Sequence, residues 1–213
     1  VESQQHPTHV VLQSNSNESF KPLLAMSTPR DIMTQVTAEI STCLETVSDE
    51  QVERALARLK NASRIFVAAA GRSALGARGF AMRLMHLGKT VHVVGETTTP
   101  AIGANDLLVI ASGSGRTESL VSMANRARQL DATILLFTLA ERSPIADVAD
   151  QVVLIPAPSP KAPLAESGAT SIQPMGSLFE QSLFVLLDCL ILSLMSQQGV
   201  TADNMFPRHA NLE

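Results

Sequence analysis

Five short apolar runs recur between residues 64 and 155, and they constrain the fold more than anything else in the chain. They are Arg64-Ile65-Phe66-Val67-Ala68-Ala69-Ala70, Thr90-Val91-His92-Val93-Val94, Leu107-Leu108-Val109-Ile110-Ala111, residues 132–138 and residues 151–155. An uninterrupted apolar run of this length is a strand buried on both faces, the habit of a parallel sheet. The stretches between them are helix-like, over 74–87 with Gly88 behind it and over 118–130, with a shorter turn over 144–149. Alternating βα units predict a single α/β domain: a doubly wound, five-stranded parallel sheet with helices intervening on both faces, in the flavodoxin-like order 2-1-3-4-5.

That order tells where to look for a ligand. Open α/β sheets bind at the carboxyl ends of their strands where the order reverses, here between the first strand and the third. The loops leaving those strands are Gly71-Arg72-Ser73 and Ser112-Gly113-Ser114-Gly115-Arg116-Thr117. Gly71, Gly113 and Gly115 let backbone come close to a guest, Ser73, Ser112, Ser114 and Thr117 offer hydroxyl donors, and the helix behind each loop offers free N–H groups to an anion. The expected guest is a phosphate, with Arg72 and Arg116 near it. The competing reading is an ordinary serine-rich turn with a helix cap. Two familiar phosphate loops are excluded. Glu118 stands where the dinucleotide fingerprint needs its third glycine, and the run from Gly71 to Gly76 continues into Ala77-Arg78 instead of Lys-Ser/Thr. Neither a nicotinamide cofactor nor ATP is indicated. Gly95-Glu96-Thr97-Thr98-Thr99-Pro100 also leaves the sheet at this edge, and we read it as a capped loop in preference to a sugar-binding wall.

The flanks add an arm and an interface. Residues 1–28 are rich in Gln, Ser and Asn and read as a flexible arm or leader without the basic start and apolar centre of a signal peptide. Apolar residues at Ile32, Met33, Val36, Ile40, Leu44 and Val47 predict a helix, and Ser48-Asp49 caps a second over 50–60, so that residues 29–213 form one domain with a helical lead-in. A connection over 156–174, rich in Pro and Ser, is long for a compact domain and suggests a use. The helix over 176–197 carries Leu178, Phe179, Leu183, Phe184, Leu187, Leu190, Ile191 and Leu194 nearly all round, more than one sheet face covers, and a second subunit is expected against it. Its greasiest part, 183–195, holds Asp188 and is shorter than the roughly 20 residues of a bilayer span, so we place it in a protein interior and expect no membrane association.

Composition removes other classes. A net charge of -4 without a basic stripe, and seven Phe with no Trp or Tyr, argue against nucleic acid as a partner. Cys43 and Cys189 lack paired spacing, which fits a reducing, cytoplasmic compartment, and five scattered His give no metal-ligand pattern. No metal and no cofactor is expected.

Four blocks of the sequence resemble the sugar isomerase (SIS) superfamily and, within it, the 6-phospho-3-hexuloisomerases: Gly71-Arg72-Ser73-Ala74, the run from Val93 to Ile102 that contains Glu96-Thr97-Thr98-Thr99-Pro100, the loop from Ser112 to Thr117, and Gln173-Pro174-Met175-Gly176-Ser177-Leu178-Phe179-Glu180. The resemblance implies a cofactor-free isomerase, usually a homotetramer, that interconverts D-arabino-3-hexulose 6-phosphate and fructose 6-phosphate in the ribulose monophosphate route of formaldehyde fixation. Association with the synthase that makes the hexulose is left open. It implies phosphate on Ser112, Ser114 and Thr117, with Ser73 close by. Arg116 departs from the Glu of many SIS proteins, and a guanidinium there suits a dianion.

Moving the carbonyl from C3 to C2 needs one base for the C2 proton and a means of holding a cis-enediolate. Glu180 is the first candidate: apolar neighbours favour its neutral form, while its place in the first helical turn favours the anion. The rival reading has it serving only the helix terminus. His209, in a terminal tail similar to the family's ending, is the second candidate, to polarise the carbonyl or shuttle protons between the oxygens, by folding over a neighbour's pocket. His86 is read as packing inside its helix. An arabinose 5-phosphate isomerase and a non-catalytic sugar-phosphate sensor are the alternative functions; no basic recognition helix precedes residue 65 to favour the sensor.

Overall fold

The computed structural model describes residues 27–160 and 170–212. The predicted arm over 1–28 thus falls almost entirely outside the described residues, as does the middle of the 156–174 connection. The chain divides into residues 1–35 and 36–213. In the first part, the described residues open helix α1 (Pro29–Glu45), where the Thr28 N–H and hydroxyl donate to Asp31 Oδ2 at 2.9 and 2.7 Å, and the Asp31 N–H donates back to Thr28 Oγ1 at 3.2 Å. This reciprocal bonding satisfies amides that a helix start leaves free.

The second part begins within α1 and continues through α2 (Asp49–Asn61), β1 (Arg64–Ala69), α3 (Ser73–His86), β2 (Thr90–Val93), β3 (Asp106–Ala111), α4 (Glu118–Gln129), β4 (Thr133–Thr138), a 3₁₀ turn (Ala146–Val148), β5 (Gln151–Leu154), α5 (Ser177–Gln198), α6 (Ala202–Met205) and a closing 3₁₀ turn (Phe206–Arg208). All strand pairs are parallel, and the order is β2-β1-β3-β4-β5. The strand order expected from the sequence is the one observed.

Side chains alternate across the sheet and feed two cores. Ile65, Val67, Val109, Leu135 and Phe137 face one side, where Leu56 and Leu59 of α2, Phe80 and Leu84 of α3, and Leu183, Leu187 and Leu190 of α5 pack on them. Phe66, Ala68, Leu108, Ile110, Ile134 and Leu136 face the other side, against Leu120, Ala124 and Ala127 of α4. Each Leu or Phe so buried contributes roughly 1.5–3 kcal/mol relative to leaving it in water.

One connection departs from the expectation that helices intervene between the strands. Residues 94–105, between β2 and β3, form no helix. Gly95 at φ 99° and Pro100 interrupt any helical run there, and Val94 and Ile102 fill the second core where a helix stripe would otherwise lie. The turn expected over 144–149 is present as the short 3₁₀ segment.

α5 is longer than its greasiest stretch suggests. Over its 22 residues it is long and apolar enough to cross a membrane, yet ten of those residues are buried in the protein. Phe184 (46% exposed) and Leu192 (63%) are left facing outward, and Leu75, Met82 and Met85 are exposed on α3, the helix it packs against.

Candidate active site

Register brings the two hydroxyl loops together. Ala69 at the end of β1 pairs with Ala111 at the end of β3, so Gly71-Arg72-Ser73 and Ser112–Thr117 leave neighbouring strands at the same edge. The start of α5 joins them. A Cβ placed on Gly113 would lie 3.3 Å from the Phe179 ring, and Arg72 Nε donates to Glu180 Oε2 at 2.5 Å across 108 positions of sequence. Three chain segments therefore meet at one rim: the loop after β1, the loop after β3 and the first turn of α5.

One buried hydroxyl at this rim is left without an internal partner. Ser112 Oγ is buried and has no hydrogen-bond partner, and Ser73 is buried at the head of α3. Thr117 stands in the N-cap position of α4 without bonding to it through its side chain, and neither α3 nor α5 has a side-chain cap. Elsewhere in the same domain α2 is capped by Ser48 and α6 by a reciprocal Thr201–Asn204 box. Backbone carbonyls take up part of the first turn in two of the three helices that begin at the rim, since the Ala74 and Leu75 N–H groups donate to Gly71 and Arg72 and the Ser177 N–H donates to Pro174. The start of α4, behind the Ser112–Thr117 loop, is the one that offers its first N–H groups to an anion. Ser114 Oγ is half engaged, accepting the Arg116 N–H at 3.3 Å, and Arg116 is exposed on a surface depression beside Glu118, Asn125 and Pro144.

The loop after β3 is held by residues that sequence reasoning missed. Gly115 adopts φ +60°, and a Cβ there would meet Ser143 Oγ at 2.0 Å. Thr138 Oγ1 donates to the Gly113 carbonyl at 2.8 Å, the Leu139 N–H donates to the same carbonyl at 3.1 Å, and the Gly115 N–H closes a turn on Ser112 at 3.2 Å. Both Thr138 and Ser143 are buried. They lie 20 or more positions downstream, and no local pattern links a hydroxyl at the end of one strand to a glycine beyond its neighbour.

Glu180 is one-fifth exposed and its Oε1, with Arg72 on Oε2, is the oxygen left open. The sequence predicts apolar surroundings for it; the structure adds a guanidinium, which the first-turn position in α5 does not foretell. Glu96 pairs loosely with Arg78 at 3.8 Å, and Thr99 bonds to the Val93 carbonyl at 2.7 Å, the behaviour of a capped loop.

His209 does not join this rim within one chain. Its ring stacks on His86 with centroids 5.5 Å apart and on Phe206 at 6.0 Å. His86 closes the helix that Ser73 opens, so the two ends of α3 are about 20 Å apart at 1.5 Å per residue. His86 is buried, as expected; burial, helped by Arg83 and His209, holds its imidazole below the ordinary histidine range. Arg208 donates to the His86 carbonyl at 3.3 Å, and a cavity of about 400 Å³ opens here between α3, α5 and the tail, lined by Asp188, Leu192, Met205 and Phe206.

The SIS domain family model matches residues 58–184, which take in both hydroxyl loops and Glu180. The chain belongs to the SIS domain family. Among its relatives, a protein of Bacillus subtilis (strain 168) named 3-hexulose-6-phosphate isomerase is 40% identical over 183 residues, covering 86% of this chain and 98% of its own. A protein of Mycobacterium gastri with the same name is 47% identical over 176 residues, 82% of this chain and 86% of its own. A solved structure from Methanococcus jannaschii, described as inferring a function of 3-hexulose-6-phosphate isomerase, superimposes with a TM-score of 0.74 at 32% identity and covers 85% of this chain and 98% of its own. The SIS domain match ends before His209, so that residue lies beyond the span the family model covers.

Proposed function

We propose that this chain is a sugar-phosphate isomerase that interconverts D-arabino-3-hexulose 6-phosphate and fructose 6-phosphate, with the carboxyl rim of β1 and β3 as its active site. The observation that carries the reading is the meeting of the unpartnered Ser112 hydroxyl and the uncapped start of α4 with a carboxylate at one edge of the sheet. The relatives named for this reaction, at 40 and 47% identity, supply the substrate.

The phosphate of the substrate takes hydrogen bonds from Ser73, Ser112, Ser114 and Thr117 and from the first N–H groups of α4, with the side-chain-free backbone of Gly71, Gly113 and Gly115 letting it come close and Arg116 at its outer side. Hydroxyls and amides suit this task, since they bind a dianion without closing the site with salt bridges. The phosphate anchors the sugar so that C2 and C3 lie along the first turn of α5. Glu180 Oε1 takes the proton from C2, charge passes to the C3 oxygen, and the cis-enediolate collapses with return of that proton to C3. The hydroxyl proton of O2 moves to O3 in the same turnover, so atoms balance. Arg72 holds Oε2 and fixes the plane of the carboxylate, and its remaining N–H groups face the anionic intermediate. No cofactor enters this scheme.

His209 takes part only when a neighbouring subunit brings it. The outward strip of Phe184, Leu192, Leu75, Met82 and Met85 gives such a neighbour an apolar surface to cover, and we place the protein as a cytoplasmic homotetramer acting after a hexulose-6-phosphate synthase in formaldehyde fixation.

The test is incubation of the purified protein with hexulose 6-phosphate in deuterium oxide. Fructose 6-phosphate forms, with deuterium at C3 to the extent that the base exchanges with solvent. Absence of product with hexulose 6-phosphate, with turnover of arabinose 5-phosphate instead, would move the enzyme to the other branch of the superfamily. Binding of either sugar without any turnover would make it a sensor.

A further inference from the structure

The entrance to α5 poses a structural problem. The helix that carries Glu180 follows Gly176 with no side-chain cap, and the residue before that, Met175, sits at φ 55°, a left-handed conformation that is strained for a residue with a side chain. An uncapped start behind a strained residue does not by itself hold a carboxylate in one place, and a general base misplaced by about 1 Å forfeits much of its rate. Something else must fix residues 171–176.

Glu39, on α1, does so. Its Oε2 accepts the Ser171 hydroxyl at 2.6 Å and the Gln173 side-chain amide at 3.0 Å, and its Oε1 accepts the Ile172 backbone N–H at 2.9 Å. Ser171 Oγ in turn accepts the Gln173 N–H at 3.0 Å. The chain of bonds then reaches α5, because Gln173 Oε1 accepts the Gln181 amide at 2.7 Å, and Gln181 directly follows Glu180. Gln173 is buried, so an open link would leave a buried polar group unpaired.

We propose that Glu39 is a positioning residue for Glu180: its carboxylate clamps residues 171–173 and, through Gln173 and Gln181, sets the orientation of the first turn of α5. The proposal rests on Glu180 as the base. The carboxylate form of Glu39 is the one the clamp uses, since all three of its partners donate. Burial pushes its carboxyl up, and the bonds from Ser171, Ile172 and Gln173 together more than offset this, leaving it below the ordinary value. Glu39 itself touches no substrate; two side chains separate it from the base.

The direction of the bonds supplies the test. In Glu39→Gln one carboxylate oxygen becomes an NH₂ that faces the Gln173 NH₂, so two donors oppose each other. Adding Gln173→Glu reverses that link: the amide introduced at position 39 donates to the new carboxylate, which still accepts from Gln181. We expect Glu39→Gln to lower kcat about tenfold or more with KM for hexulose 6-phosphate changed less than about threefold, and the double variant to recover most of the loss. Hydrogen exchange at the Ile172 amide, which bonds directly to Glu39, and at the amides over 177–180 quickens in the single variant and slows again in the double. A purely structural role would lower thermal stability and phosphate affinity along with kcat, and that pattern would overturn the proposal. So would an unchanged kcat, or a reduced kcat with unchanged exchange over 172–180. Should the wild-type chain turn over no hexulose 6-phosphate, the isomerase reading falls, and the clamp is judged by exchange alone, with unaltered protection in Glu39→Gln ending it.

Discussion

The two ends of α3 solve opposite problems. At its start, Ser73 lies beside a buried Ser112 hydroxyl with no partner, a glycine loop in the left-handed region and helices without caps. At its end, His86 finds its partners within the chain: Arg83 bonds its Nδ1 at 3.3 Å, Arg208 bonds its carbonyl, and His209 stacks on its ring. Buried polar groups in a folded protein are normally paired, so the end where His86 finds partners is explained by the fold and the end where the Ser112 hydroxyl lacks one asks for a ligand. A cavity of about 400 Å³ lies at the explained end as well. A cavity by itself therefore does not tell the two ends apart; the state of the hydrogen bonds does.

The sharpest break in this contrast is Glu180→Gln. It should lower turnover by about a thousandfold while fructose 6-phosphate still binds, as loss of a general base does; calorimetric binding beside a rate assay reads both, and undiminished turnover takes Glu180 out of the mechanism. Next comes Gly115→Ala, which puts a methyl group into Ser143 at a positive φ. We expect about 2–4 kcal/mol of lost stability in denaturant unfolding, together with weakened phosphate binding. Ser114→Ala with Thr117→Ala, which removes two hydroxyls and no volume from the core, should weaken fructose 6-phosphate binding by about tenfold and leave the melting temperature nearly unchanged. If affinity holds and stability falls instead, these hydroxyls belong to the fold, as the polar groups at the other end of α3 do.

The smallest effect concerns His86 and carries a sign. Its folded-state pKa is lowered, so the unfolded chain binds the proton more readily, and the contribution is present above the ordinary value of 6.5 and is lost as pH falls from there through the folded pKa. Unfolding free energy should therefore decline below about pH 6.5 in the wild type, and less steeply in His86→Gln. An identical slope in the two proteins would mean that the ring is not held neutral by its surroundings.

Much of the rim is legible in the sequence because it depends on order along the chain. Continuous apolar runs name parallel strands, strand order names the reversal point, and the loops there can be read letter by letter. What escapes depends on side chains that meet from distant elements. Arg72 and Glu180 are each readable as site residues, but their pairing arises only when α5 is laid beside the loop after β1. The same holds for Thr138 and Ser143 beneath Gly113 and Gly115, and for Glu39 under residues 171–173. The missing helix between β2 and β3 has a different cause: the βα rhythm does not extend across a stretch whose Gly95 and Pro100 already speak against it. His209 is identified by type, while its stack on His86 at the far end of α3 follows from the α6 turn, which residues 202–208 do not announce by period.

Gripping and reacting are assigned here to different stretches of polypeptide. In the proposed scheme the handle common to many metabolites is held by turns after β1 and β3, whereas the group meant to face the carbon chain arrives on a separate helix some sixty positions later. Descent within such a scaffold can thus exchange one sugar for another by editing the approach to α5, while the grip on the ester stays as it is.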